Sequence, residues 1–114
     1  MKKFLIILVL ILFVTGCGED TMTKEATLES VIASGEYLVV DVRTSSEYED
    51  GHVVGAINIP YNEIGEDIEL DKEMPILVYC MSGGRSRLAY DALTNLGYTV
   101  YDLGAFASID LPKE

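Results

Sequence analysis

The chain has 114 residues and a formal net charge of −11, from 19 acidic and 8 basic residues. That length holds one small domain and hardly two. The acidic balance argues against nucleic acid, whose phosphates are met by Lys and Arg clusters, and against electrostatic attachment to a membrane surface.

Lys2 and Lys3 open the chain, and Phe4 to Val14 is an unbroken apolar run that ends at Thr15, Gly16 and Cys17. As a helix the run reaches only about 16 Å, against the roughly 30 Å of a bilayer core, so it reads as a secretory signal rather than a stable span. Val14-Thr15-Gly16-Cys17 resembles the lipobox of bacterial lipoproteins. The resemblance implies that residues 1–16 are removed and that Cys17 is diacylated. The protein would then be exported and lipid-anchored to the outer face of the cytoplasmic membrane or to a periplasmic-facing leaflet. A plain signal peptide with a cysteine near its cleavage point is the alternative. Residues 17–23 read as an acidic tether, and residues 24–114 as the domain.

From Lys24 to Ser34, Leu28, Val31 and Ile32 fall at i, i+3 and i+4, which is helical spacing, and Gly35 stops the helix. Lys24 to Thr27 also fits a short edge strand. Tyr37 to Val42 is a β-rich run without alternation, as in a central strand covered on both faces, with Asp41 and Arg43 at its carboxyl end. Thr44-Ser45-Ser46-Glu47 offers hydroxyl caps and an acidic first turn for a brief helix through Glu49, which Gly51 breaks. His52 to Pro60 reads as a loop leading into a short strand. Tyr61 to Glu73 holds six acidic residues without the oxygen-ligand spacing of a Ca²⁺ loop, and so reads as a solvated loop with a helical turn.

Ile76 to Cys80 is an apolar strand that delivers a thiol to Met81-Ser82-Gly83-Gly84-Arg85-Ser86. The glycines let the backbone curl with its N–H groups inward, and the helix from Arg87 to Leu96, capped by Ser86, adds its positive dipole end. That combination makes an anion cradle with a nucleophile at its mouth, and a thiol there ionises below the usual value near 8.5. Leu88, Ala89, Ala92, Leu93 and Leu96 form the apolar stripe of that helix, Gly97 follows it, and Tyr98 to Leu103 is the last strand. The alternation of strands and helices predicts an α/β fold: a small parallel sheet with helices on both faces and right-handed crossovers. If Cys17 carries lipid, Cys80 is the sole thiol and no intrachain disulfide is possible.

Several blocks together resemble the rhodanese family of single-domain sulfurtransferases. Val40-Asp41-Val42-Arg43, Glu47-Tyr48, Gly51-His52-Val53 and Gly55-Ala56-Ile57-Asn58-Ile59-Pro60 are similar to its amino-terminal signature. Cys80 followed by Gly83, Arg85 and Ser86 is similar to its active-site pattern, and Tyr98 to Gly104 to its closing strand. Met81 departs from the basic or aromatic residue of many relatives, and Gly104-Ala105-Phe106 replaces two glycines and a tryptophan, with Phe106 standing in for the Trp. Four residues separate Cys80 from Arg85, whereas the phosphatase and arsenate-reductase branches of the superfamily carry five in a wider loop.

The resemblance implies the rhodanese-like fold, with the active-site loop between a central strand and the next helix. It also implies a sulfurtransferase that moves sulfane sulfur from a small anionic donor such as thiosulfate to a thiol or cyanide. Cys80 would be the nucleophile that carries the persulfide, with Met81, Ser82, Gly83, Gly84 and Arg85 binding substrate. Asp41, Arg43, His52 and Ser86 would brace the loops. A bland reading of Arg85 is a surface pair with a carboxylate. No cofactor is implied, and one histidine with one free thiol cannot close a metal site. The reading from another class is a lipid-anchored, non-enzymatic persulfide carrier or binding module.

Overall fold

A computed structural model describes residues 27–114, so the expected leader, tether and Cys17 lie outside the described residues. Helix α1 (Leu28–Ser34) opens where the Ser30 amide donates to the Thr27 hydroxyl (3.1 Å), and it ends at Gly35 with φ 75°. It begins at Leu28, and Thr27 is its cap rather than part of an edge strand. Strand β1 (Leu38–Asp41) leads to helix α2 (Ser45–Asp50), which Thr44 and Glu47 open by a reciprocal capping box. A two-residue strand β2 (Ile57–Asn58) and a 3₁₀ turn (Tyr61–Glu63) follow. Strand β3 (Ile76–Cys80), helix α3 (Gly84–Asn95), strand β4 (Val100–Ala105) and a second 3₁₀ turn (Phe106–Ser108) complete the chain.

The four strands are parallel throughout, in the order β2-β1-β3-β4. Parallel strands need crossover connections, and here α2 joins β1 to β2 while α3 joins β3 to β4. The order leaves β3 central, flanked by hydrogen bonds on both sides, and all five of its residues are buried. Because successive side chains alternate, Ile76, Val78 and Cys80 join Val40, Val42, Ala89, Leu93, Tyr98 and Val100 in the core cluster. Leu77 and Tyr79 point the other way and are buried too, which explains the unbroken apolar run.

Three details of the sequence reading change. The last helix begins at Gly84 rather than Arg87, with Gly83 as its N-cap at φ 108°, so Ser86 is a wholly buried first-turn residue and not the cap. The earlier start brings the Ser86 amide against the thiol. Leu88 is 55% exposed and leaves the expected stripe, because Ala89 and Leu93, at i and i+4, face the sheet. The final strand runs on to Ala105 through a register shift opposite Val78 and Tyr79, and Gly104 there adopts φ 81°, which favours glycine. The carboxyl ends of β1, β3 and β4 thus share one edge, where open α/β sheets gather ligands.

Candidate active site

Cys80 is the last residue of β3, and its sulfur is fully buried at the base of the loop. The loop turns back over it at Gly83, so the Gly83 amide donates to Cys80 Sγ at 3.0 Å and the Ser86 amide at 3.2 Å. Burial pushes the thiol up. The neighbouring Ser86 side chain and the Ser86, Gly83 and Ser82 amides outweigh that effect and hold it below the ordinary value. The Ser86 hydroxyl also donates to the Gly83 carbonyl at 3.1 Å, which fixes the turn. Backbone N–H groups aimed at a sulfur stabilise negative charge on it.

Arg85 leaves the loop sideways. Its Nη1 donates to Glu47 Oε1 at 2.9 Å and its Nη2 to Oε2 at 3.1 Å, a bidentate pair about 29% exposed on each side. The structure therefore puts this guanidinium on a carboxylate, as in the bland reading, while its charge still lies close enough to interact with Cys80. Glu47 is the residue the sequence reading missed as a member of the site. Its carboxylate also accepts from the Thr44 amide (3.0 Å), and Arg85 first, then that amide, hold its pKa down to about 2. The Thr-x-x-Glu spacing was the available signal, since it points the Glu47 side chain back over the helix start.

Asp41 and Arg43 lie beneath the site, 0% and 2% exposed. Arg43 Nε donates to both Asp41 oxygens at 3.0 Å, and its Nη2 to Asp41 Oδ2 and to the Gly51 carbonyl, each at 2.6 Å. The Tyr79 hydroxyl donates to Asp41 Oδ2 at 2.7 Å and accepts from the Val53 amide at 3.0 Å. Burial, foremost, drives the Tyr79 phenol well above its ordinary value, so it remains a neutral donor. The Phe106 ring stacks on Tyr79 and lies 4.4 Å from the Arg43 guanidinium carbon. No buried side-chain nitrogen or oxygen among the described residues lacks a partner, so the network is complete. His52 stacks on Tyr48 with ring centres 3.8 Å apart, its Nδ1 lies 2.8 Å from the Tyr48 carbonyl, and its Nε2 lies 3.3 Å from Glu114. These contacts place it in a loop brace.

Met81, 45% exposed, stands at the mouth of the loop, beside exposed Ser82 and Gly84. Among the described residues no group of three or more His, Cys, Asp and Glu is placed to hold a metal ion. The arrangement can hold negative charge on a sulfur against two backbone amides.

A parallel α/β sheet with a cysteine loop at the carboxyl end of its central strand defines a class of small thiol-centred proteins. Within that class, the model of the rhodanese-like domain matches residues 25–108, and the chain belongs to the rhodanese family. It is similar to thiosulfate sulfurtransferase PspE of Escherichia coli, at 41% identity over 78 residues, covering 65% of this chain and 75% of that protein. It is also similar to the mouse thiosulfate sulfurtransferase/rhodanese-like domain-containing protein 3, at 30% identity, covering 72% of this chain and 62% of that protein. A solved structure of a rhodanese with anions from E. coli superposes with a TM-score of 0.63 at 35% identity, covering 68% of this chain and 96% of that one. Family membership and these relatives support sulfurtransferase activity in general.

Proposed function

We propose that the protein transfers sulfane sulfur from an anionic donor such as thiosulfate to a thiophilic acceptor, a thiol or cyanide, through a persulfide on Cys80. The observation that carries this reading is Cys80 Sγ, which accepts two backbone N–H bonds at the end of a central strand. In the first half-reaction the thiolate attacks the outer sulfur of the donor. The sulfur–sulfur bond of thiosulfate breaks, sulfite leaves with its electron pair, and Cys80 keeps the transferred atom. In the second, the acceptor attacks that atom and the electron pair returns to Cys80. The Gly83 and Ser86 amides stabilise the negative charge in both halves.

Arg85, held in place by Glu47, borders the donor's approach. Asp41, Arg43, His52 and Ser86 hold the loops at the sheet edge. Lipid on Cys17 would keep the domain at a membrane surface on the exported side, so that donor and acceptor are both met outside the cytoplasm. Two observations favour a second reading, a persulfide carrier or binding module that turns over slowly: Cys80 is fully buried, and Arg85 is already engaged by Glu47.

Thiocyanate production from thiosulfate and cyanide separates the two readings. The transferase gives parallel double-reciprocal lines, the mark of a ping-pong reaction, and Cys80→Ser abolishes turnover. A wild-type protein that takes up sulfur once and releases no thiocyanate is the carrier.

A further inference from the structure

A cleft of about 160 Å³ lies beside the mouth of the cysteine loop, lined by Arg43, Glu47, Asp50, Gly51, Met81 and Phe106. Its place follows from the strand register. Cys80 pairs with Ala105, so the next residue of each strand, Met81 and Phe106, stand together on the cleft wall. Met81 follows Cys80 directly, so a molecule seated in the cleft lies next to the thiol-bearing residue.

The charges of the cleft do not cancel. Arg43 is neutralised by Asp41, and Glu47 by Arg85. Asp50 is exposed and has no partner among the described residues. It closes the carboxyl end of α2, where the helix dipole is negative and favours cations. The Lys113 ammonium touches the Phe106 ring at 4.8 Å but does not line the cleft. The remaining walls, Met81 and Phe106, are apolar. At about 160 Å³ the cleft is small and open to solvent on one side.

We infer that this cleft seats the body of the sulfur acceptor, and that Asp50 selects a small thiol bearing an ammonium group over one bearing a carboxylate. The inference rests on the sulfurtransferase reading and names its second substrate. In the step itself the acceptor thiolate attacks the terminal sulfur of the Cys80 persulfide. The new sulfur–sulfur bond forms as the old one breaks, and the electron pair returns to the Cys80 thiolate on the Gly83 and Ser86 amides.

Cysteamine and 3-mercaptopropionate share a two-carbon spacer and carry opposite charges, so they probe Asp50 directly. With thiosulfate as donor, kcat/KM for each thiol is divided by that for cyanide on the same preparation, which cancels any general loss of activity. The quotient for cysteamine over mercaptopropionate is then compared between wild type, Asp50→Asn and Asp50→Lys, which cancels the intrinsic nucleophilicity of each thiol. Attraction on one side and repulsion on the other multiply, so Asp50→Asn should lower the quotient by a few-fold to about tenfold, and Asp50→Lys should lower it further. A quotient that neither substitution moves overturns the assignment of Asp50 while leaving sulfur transfer to cyanide intact. Absence of turnover with cyanide as well as with both thiols overturns the underlying reading, and this one with it.

Discussion

At the scale of single residues, the balance at Cys80 is between burial, which favours the neutral thiol, and hydrogen-bond donors, which favour the charged one. Burial alone would make it an inert apolar thiol, the fate of most buried free cysteines. Ser86 decides the balance here, because both its amide and its hydroxyl favour the charged sulfur. Alkylation rates measured against pH should therefore give an apparent pKa lower than that of an ordinary thiol. Ser86→Ala should raise it and slow alkylation at neutral pH by roughly tenfold, whereas Ser86→Thr should restore most of the rate. An unmoved profile in Ser86→Ala would show that the hydroxyl does not serve the thiolate. Glu47 makes a second residue-scale case. Its folded pKa is depressed to about 2 from 4.5, so the stability it adds is fully present above pH 4.5 and is lost as pH falls through about 2. Glu47→Gln should cost about 1 kcal/mol at neutral pH, discounted for a part-exposed pair. The gap between variant and wild type should close across that acidic window in urea titrations.

At the scale of elements, each helix end is built by local chemistry that can be tested alone. The end of α3 is a Schellman arrangement in which the Tyr98 amide donates to the Leu93 carbonyl (3.1 Å) and the Gly97 amide to the Thr94 carbonyl (3.0 Å). Gly97 sits at φ 99°, where an L side chain is strained. Gly97→Ala should lower stability by about 1 kcal/mol or more, read as a lower urea midpoint with an unchanged slope, while thiol reactivity at the far end of the helix stays as it was. Tyr79 links elements instead of ending one, since its hydroxyl joins β3 to Asp41 of β1 and to the Val53 amide. Tyr79→Phe should leave the Val53 amide without its acceptor and cost about 1–3 kcal/mol. A loss well under that range would mean water replaces the hydroxyl.

At the scale of the whole molecule, the parallel sheet was legible from strand-helix alternation and from apolar runs too continuous for a half-exposed strand, while the central place of β3 came only from the family resemblance. The thiol at the end of a strand and the glycine turn after it were legible too, since the apolar run stops at Cys80 and Gly83 and Gly84 follow. Pairings between distant segments were not. Nothing in local pattern says that Arg85 turns away from the loop to Glu47, 38 positions earlier, or that Tyr79 rather than solvent completes the shell of Asp41. The start of α3 was misplaced because a left-handed Gly83 caps it without a side chain, leaving Ser86 as the more visible capping signal. Leu88 was misassigned because it lies at the flank of the stripe, about 100° round the helix from the buried Ala89.

The central claim is that the ring of amides around Cys80 exists to carry a sulfur atom, and intact mass measurement after incubation with thiosulfate tests it most directly. The wild-type protein should gain about 32 Da, one sulfur, and lose it on addition of cyanide, while Cys80→Ser should gain nothing. A wild-type protein that stays at its original mass, or a Cys80→Ser variant that takes up the same adduct, would contradict the account.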